Sequence, residues 1–234
     1  MHLNTWFTWN GTRCTDYGIH VARQPEIIRP PERVTFTSVP GRSGTFTTLE
    51  GMDVYDDFLL TMECFIQDLT KLNTIFSWLK GNGMLTIANR RCGFYYAQIV
   101  NQISLEQILR GSPHRRFVLN FRCQPFFYLS GVANISIPAS GTYLTNPGSV
   151  FSEPVLKVTL TSDAQITMGG SYFELAGITG TVTVDTPLKE TYKSYNSFNS
   201  KMSGDYPTLL PGENIITWSG GVTGIVITPN WRTL

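Results

Sequence analysis

The first residues that could do chemistry lie between Val39 and Asp57, in the stretch VPGRSGTFTTLEGMDVYDD. Glycines, one arginine and several carboxylates come close together there, a composition that phosphate loops, catalytic loops and ordinary β-turns share. A phosphate loop would need a lysine and a hydroxyl residue after the glycines, and then a helix. Here the residues after Gly44 read TFTT, which is a strand pattern. A nucleophile elbow at Ser43 also fails, because the position two residues later is not glycine.

Carboxylates and histidines give no better support for catalysis. Asp56 and Asp57 could in principle serve as the acid and the nucleophile of a glycoside hydrolase. Neighbouring residues on a strand point to opposite faces, so these two would not converge on one sugar. His2, His20 and His114 lie in different segments without metal-site spacing. We therefore expect no catalytic residue, no metal and no cofactor, and glycan hydrolysis ranks third among the functions considered.

Sugar binding is a second chemistry that the residue types allow, because aromatic rings can stack on pyranose rings. The second half of the chain supplies Tyr192, Tyr195 and Trp218 as candidates for an aromatic surface. Aromatic residues belong more often to a core or to a protein interface. A carbohydrate-binding module that recognises a cell wall is therefore kept as the alternative function.

The elements that must position these residues are mostly strands. Apolar residues alternate with others from Phe58 to Ile66 and again from Arg116 to Cys123, which predicts two long strands with one buried face each. One helix interrupts the strands, and Gly81 can end it in a left-handed conformation. Its predicted core stripe consists of Leu69, Leu72, Ile75, Phe76 and Leu79.

Composition narrows the classes of protein further. Only 15% of the 234 residues are charged and the net charge is +1, which argues against a dedicated nucleic-acid binder and is compatible with surface hidden in an assembly. No window is apolar enough to span a membrane, so we expect no membrane embedding. The cysteines have no CxxC spacing, which predicts free thiols in a protein made in a reducing cytoplasm.

A domain boundary is predicted near residue 130. Beyond it Gly, Ser and Thr become more frequent, and short alternating strands recur about every ten residues, the rhythm of an antiparallel sandwich. We thus expect a mainly β protein. An N-terminal β-sandwich with one packed α-helix would occupy residues 1–130, and a smaller antiparallel β-sandwich residues 131–234.

Several motifs, in this order, carry a family resemblance. FTWNGTRCTDYGIHV, VPGRSGTFTTLEGMDVYDD, WLKGNG, FYYAQI and FVLNFRCQPFFY span nearly all of residues 1–130. Together they resemble the distal tail protein (Dit) family of siphophages, the long-tailed non-contractile phages, and of related prophages. NPGSVFSEPVLKV, DYPTLLPGENIITWSG and PNWRTL are similar to the galectin-like C-terminal sandwich of that family.

The resemblance implies a structural protein of the virion tail tip, made in the bacterial host cytoplasm, and not an enzyme. Members of the family form a homo-hexameric ring through their N-terminal domains. The ring joins the major tail protein to the tail-associated lysin or fibre, with receptor-binding or baseplate proteins attached around it. DNA only passes through its central channel.

With that implication, Gly41, Arg42 and Gly44 are interpreted as a β-turn at or near a subunit joint. The two glycines supply the positive φ that a tight turn needs. Arg42 either bridges to a carboxylate or to main-chain carbonyls, within its own sheet or across the joint, or is solvated on a purely local turn. The residues alone leave these alternatives open.

Overall fold

The computed structural model describes residues 6–51, 53–107, 110–111 and 113–234, and most of its regular structure is strand. Contacts divide the chain into two compact units, residues 1–130 with Leu234 and residues 131–233. The expected fold class, mainly β with one α-helix among the described residues, is confirmed. In this described part, no helix is long and apolar enough to cross a membrane.

The first unit is built around a curled antiparallel sheet with the strand order β2-β1-β7-β8-β10-β6-β3. Its strands are β1 (Phe7–Trp9), β2 (Thr12–Arg13), β3 (Ile19–Arg23), β4 (Val34–Ser38), β5 (Thr45–Leu49), β6 (Phe58–Ile66), β7 (Asn82–Ile87), β8 (Arg90–Ile99), β9 (Glu106–Gln107) and β10 (Arg115–Leu129). A 3₁₀ turn at Cys14–Tyr17 follows β2, and the helix α1 (Leu72–Trp78) lies between β6 and β7. Strands β4 and β5 form a separate two-stranded sheet.

The long strands β6 and β10 form as the alternating pattern predicts. Their register sets Phe117 opposite Cys64 and Leu119 opposite Met62, and these four side chains are buried. Directly opposite residues of an antiparallel pair share a face, so one face of this ladder belongs to the core. The other face is mixed, because Arg116, Asn120 and Arg122 lie there together with the apolar Val118, Leu59 and Phe65.

Helix α1 covers part of this core, but not through the predicted stripe. Ile75 and Leu79 are buried and Leu72 is half-buried, whereas Leu69 and Phe76 are 36% and 41% exposed. The prediction of a five-residue buried stripe is therefore wrong for Leu69 and Phe76. Leu69 also lies before the first helical residue.

Trp78 is the residue of the helix that packs on the core but was not in the predicted stripe. Its ring stacks on Phe7 at 5.9 Å and tilts against Tyr17 at 4.7 Å, and its indole Nε1 donates a hydrogen bond to the Trp9 carbonyl. Side chains advance by about 100° per residue around a helix, so Ile75, Trp78 and Leu79 share a face. Phe76 lies about 100° from Ile75 on the solvent side.

The second unit is an antiparallel assembly around two long strands. Its strands are β11 (Ile135–Ile137), β12 (Thr142–Asn146), β13 (Val155–Met168), β14 (Ser171–Leu175), β15 (Gly180–Asp185), β16 (Glu190–Lys193), β17 (Asn196–Ser197), β18 (Met202–Gly204), β19 (Gly212–Thr228) and β20 (Arg232–Thr233). The strand order is β11-β19-β13-β15-β16-β17, with β12 beside β19 and β14 between β13 and β18.

Strands β13 and β19 are long enough to pair with different neighbours along their length. Their pairing shifts register between Leu160 and Ala164, so the first half of β13 pairs with β15 and the second half with β14. Gly220 sits at this irregularity with a φ of +83°, and a Cβ there would approach the Asp163 carbonyl oxygen to 2.2 Å. The bend therefore requires glycine.

Candidate functional site

Strands β4 and β5 form an arm that no other part of the described chain covers. Val34 pairs with Leu49 and Ser38 with Thr45, and the connection between the strands contains the glycine-rich turn. Every residue from Thr35 to Gly51 is exposed. An isolated two-stranded hairpin is marginally stable in water, so such an arm is unusual in a finished structure.

The arm carries apolar side chains on both of its faces. Val34, Phe36 and Leu49 share one face, where Phe36 and Leu49 are 64% and 59% exposed. Phe46 lies on the opposite face and is also exposed. Arg42 is the one charged residue between Val34 and Leu49 in the sequence. The arm is thus a nearly uncharged ribbon in which exposed apolar side chains alternate with threonines.

The base of the arm is held in place by polar contacts. Arg33 Nε donates to Asp56 Oδ1 at 2.7 Å, and this hydrogen bond raises the pKa of the Arg33 guanidinium. The Arg33 amide donates to the Val54 carbonyl at 2.9 Å, and the Asp56 amide donates to the Pro31 carbonyl at 3.0 Å. The exposed ion pair adds little stability. These contacts instead give the arm a fixed point of departure.

The tip of the arm is the turn singled out in the sequence. Gly41 and Gly44 have φ values of +80° and +82°, and the Arg42 amide donates to the Val39 carbonyl at 3.1 Å. The Arg42 side chain makes no hydrogen bond or ion pair with the described residues, so the bridge within its own chain is not seen. A bridge across a subunit joint stays a prediction.

A second apolar surface lies on the outer face of β7, β8 and the end of β10. Phe94, Tyr96 and Tyr128 contact one another with ring centroids 4.9–5.7 Å apart, and Met84 pairs with Tyr96 across the strands. We call these four residues the aromatic platform. Met84 and Tyr96 are 43% and 42% exposed. Three rings in mutual contact form a rigid apolar surface.

The same sheet face becomes charged towards β6. Arg116 pairs with Glu63 at 2.7 Å and Arg122 with Asp57 at 3.1 Å. The uncharged platform is therefore distinct from the neighbouring face of β6 and β10, where ion pairs alternate with apolar residues.

The residues considered for catalysis do not assemble into a site. Asp56 is bound to Arg33 at the base of the arm, while Asp57 is bound to Arg122 on β10. The two carboxylates therefore serve different partners, as expected for neighbouring residues of an extended chain. Among the described residues, no group of three or more His, Cys, Asp or Glu side chains could hold a metal ion.

Two histidines occupy a small aromatic group instead of a metal site. His20 stacks on Phe65 with centroids 5.3 Å apart, and His114 lies on the other side at 6.4 Å from the same ring. His2 lies outside the described residues.

The three aromatic candidates for sugar binding lie apart. Tyr192 is half-buried on β16 beside Thr183, next to the first half of β13. Trp218 is half-buried on β19 opposite Ile166, in the second half of β13. Tyr195 is fully exposed in the turn between β16 and β17. Their rings make no contact with one another, so they do not form one binding surface.

Sequence reasoning missed the apolar residues of the arm and the platform. The segments VTFTS and TFTTL on either side of a glycine turn predict a hairpin, and Phe94 and Tyr96 alternate within GFYYAQ. These patterns could have located the strands. They could not have shown that the faces stay uncovered.

Comparison with known proteins places the fold. No family model matches the chain, and no curated protein matches it. A solved structure is similar over 95% of this chain and 97% of its own length, with a TM-score of 0.70 and 13% identity. It is the crystal structure of the SPP1 Dit (gp 19.1) protein, described as a paradigm of the hub adsorption apparatus in phages that infect Gram-positive hosts. The chain therefore has the fold of a Dit protein.

Proposed function

We propose that this chain is the hub of a phage tail tip. Copies of it form a hexameric ring that joins the major tail protein to the tail-associated lysin or fibre and to receptor-binding or baseplate proteins. The tail is that of a siphophage or a related prophage, assembled in the bacterial cytoplasm, and DNA only passes through the ring. The shared fold with a hub protein supports this role.

The observation that carries the proposal is the uncovered arm. Among the described residues no third strand pairs with its backbone edges, and it exposes Phe36, Phe46 and Leu49, a combination that soluble monomers avoid. Burying a phenylalanine or leucine side chain completely is worth about 1.5–3 kcal/mol. Contact with a second copy of the chain would bury these side chains and gain this free energy, because no other part of the described chain covers them.

A ring needs two different complementary faces on each copy. Head-to-tail contacts between such faces close into a ring when the rotation returns to its start. The arm supplies one uncharged face and the aromatic platform supplies another. Packing a ribbon on a sheet face is an ordinary way to bury apolar strands. We infer that the arm of one copy covers the platform of the next.

The role is one of shape and not of catalysis. Asp56 and Asp57 are each held by a different arginine, Arg33 and Arg122. No residue is therefore proposed as an acid, a base or a nucleophile. The alternative function of sugar binding is not favoured at Tyr192, Tyr195 and Trp218, because those side chains lie apart.

The test is the mass of the purified chain at micromolar concentration, by light scattering, with and without the major tail protein from the same genome. We expect six copies in the wild type and a loss of assembly for Phe36→Asp. Leu188→Asp is the matched control, because Leu188 is 66% exposed in the second unit and should leave the ring intact. A wild type that stays monomeric even beside the tail tube would refute the ring. Full-size rings of the Phe36→Asp variant would remove the arm from the contact.

A further inference from the structure

The second unit exposes a sheet face that plays no part in the proposed ring. It is formed by β14, the second half of β13, the first half of β19 and β12. Its side chains alternate with buried residues such as Ile166, Phe173 and Ile216, so they all point away from the core. The exposed or half-exposed side chains of this outer face are Tyr143, Thr145, Gln165, Thr167, Tyr172, Glu174, Glu213, Ile215, Thr217 and Ser219.

Strand register arranges this outer face in rows. Tyr172 lies opposite Thr167, which in turn lies opposite Thr217. The neighbouring row runs from Glu174 through Gln165 to Ser219 in the same way. Two residues along β19, Ile215 lies opposite Tyr143. The result is a hydroxyl-rich and amide-rich strip with one tyrosine on each side.

Both tyrosine rings are free to meet a ligand. Tyr143 is 67% exposed and Tyr172 is 55% exposed. Three strand spacings and a two-residue offset separate their Cα atoms by about 16 Å. That distance suits a chain of several sugar units better than a single small molecule.

The polar row next to Tyr172 is already organised. Gln165 Nε2 donates to Glu174 Oε1 at 3.0 Å, which fixes both side chains. The second carboxylate oxygen and the amide oxygen have no other partner among the described residues and can accept hydrogen bonds from sugar hydroxyls. A groove of about 260 Å³ runs along this row, and its lining includes Gln165, Glu174, Ser219 and Asp163.

The acidic residues of the outer face and its groove limit which polymers can bind there. Glu174 and Glu213 are the charged members of the outer face, Asp163 lines its groove, and neither feature contains lysine or arginine. A negative surface repels phosphate-rich or carboxylate-rich polymers. Interface cores are depleted of Glu and Ser but enriched in Tyr, so a protein partner is the competing occupant, and the assembly mass of the variants below distinguishes it. Among polymers, a hydroxyl-rich and amide-rich strip between two exposed rings fits a neutral polyhydroxylated chain.

We propose that the outer face binds a neutral polysaccharide. Tyr143 and Tyr172 stack on two sugar rings of one chain, and the Gln165–Glu174 pair accepts hydrogen bonds from hydroxyls between them. The site does not include Tyr192, Tyr195 or Trp218. It adds a binding function to the second unit that does not depend on whether the first unit forms a ring.

The proposal is tested on the full chain by affinity electrophoresis in gels that contain one polysaccharide each. The probes are dextran, a β-1,3-glucan, a galactan and a mannan, with polygalacturonate as the anionic comparison. We expect at least one neutral probe to retard the wild type. Tyr143→Ala and Tyr172→Ala should each weaken the apparent affinity by about three- to tenfold, as the loss of one stacking contact implies.

Two further variants separate binding from folding. Tyr172→Phe keeps the stacking ring and should retain most of the retardation, whereas Tyr195→Ala removes a fully exposed ring elsewhere and should change nothing. Retardation by none of the neutral probes, or by polygalacturonate alone, would overturn the proposal. So would retardation that survives both alanine substitutions on the outer face. If those substitutions change only the mass of the assembly, the face is a protein contact and the proposal is wrong.

Discussion

Individual cysteines show how burial separates reactive from inert positions. Cys14, Cys64 and Cys123 are buried in the first unit, and Cys92 is exposed on β8. Burial raises the pKa of the Cys123 thiol to about 12 and also raises the pKa of Cys14 and Cys64. Since the thiolate is the reactive form, the three buried groups are inert at neutral pH.

A thiol reagent should therefore modify one cysteine in the folded protein. At pH 8 we expect rapid reaction of a single thiol per chain, no rapid reaction in Cys92→Ser, and four reactive thiols per wild-type chain after denaturation. Absorbance of the released chromophore measures each count. Rapid modification of a second thiol in the native chain would show that one of the buried positions opens readily.

The raised thiol pKa values also make stability depend on alkaline pH. Each folded-state pKa lies above its unfolded value of 9.0, so the contribution of the protonated thiol is complete below pH 9. It is lost as pH rises from 9 towards about 12 for Cys123, with a slope of up to about 1.4 kcal/mol per pH unit.

Urea unfolding between pH 8 and pH 11 measures this effect. We expect a falling free energy of unfolding in the wild type and a shallower fall in Cys123→Ala. Cys92→Ala is the control and should keep the wild-type slope, because its thiol is exposed in both states. Equal slopes in all three proteins would mean that thiol burial contributes nothing to the pH dependence.

At the scale of elements, the sequence pattern predicted the position and the buried face of the long strands better than the buried face of the helix. The alternation in β6 and β10 located both strands and their buried face, because a two-residue period has only two possible phases. The pattern did not determine the buried face of the helix, since leucines and a phenylalanine fit several rotations of a short helix. The face that α1 turns to the core is fixed by Trp78, whose ring contacts Phe7 and Tyr17 from distant segments of the chain.

Two substitutions in α1 check this rotation. Trp78→Ala should lower the free energy of unfolding by about 3 kcal/mol, since it removes a large ring packed on the core. Phe76→Asp should lower it by only about 1 kcal/mol, because 41% of that side chain is already exposed. Chemical denaturation of both variants provides the measurement. The reverse order of effects would restore the stripe predicted from the sequence.

The arm could be predicted as a hairpin but not as an uncovered one. Alternating threonines and apolar residues look the same in a covered strand and in a bare one. The sequence pattern of the platform also does not show whether it is covered, since Phe94 and Tyr96 could equally have packed beneath another element. Whether a face is covered depends on partners outside the chain, and one sequence holds no record of them.

Proteolysis can show when the arm becomes covered. Arg42 is exposed at the tip between two glycines, so trypsin should cut the free chain there first and yield fragments that meet at residues 42 and 43. In the assembled ring the same bond should be cut much more slowly. Arg42→Gln removes the cleavage site and identifies the band by mass spectrometry. Equal cleavage rates in the free chain and the ring would leave the arm outside the contact.

At the scale of the whole molecule, the two units expose different kinds of surface. The first unit gathers its unexplained apolar surface on the arm and the platform, and the second gathers exposed tyrosines on a polar face. The fold of a Dit protein accommodates both, although only 13% of residues are identical to the similar structure. Such a fold is maintained by patterns of burial, and these patterns tolerate replacement of most side chains.

The character of the proposed ring contact can be tested with salt. Arm and platform are nearly free of charge, so their contact is hydrophobic and should not weaken when electrostatic interactions are screened. At 1 M NaCl screening acts within about 3 Å, which suppresses contacts between exposed charges. We expect the ring to keep its mass between 0.05 M and 1 M NaCl.

Arg42→Glu distinguishes the two interpretations of the tip. If Arg42 is solvated, the variant assembles as the wild type does at every salt concentration. If Arg42 bridges to a carboxylate of the next copy, the variant loses assembly at 0.05 M NaCl and recovers part of it at 1 M, where the new repulsion is screened. Dissociation of the wild-type ring at 1 M NaCl would show that charged residues hold the copies together, and the apolar contact between arm and platform would then be wrong.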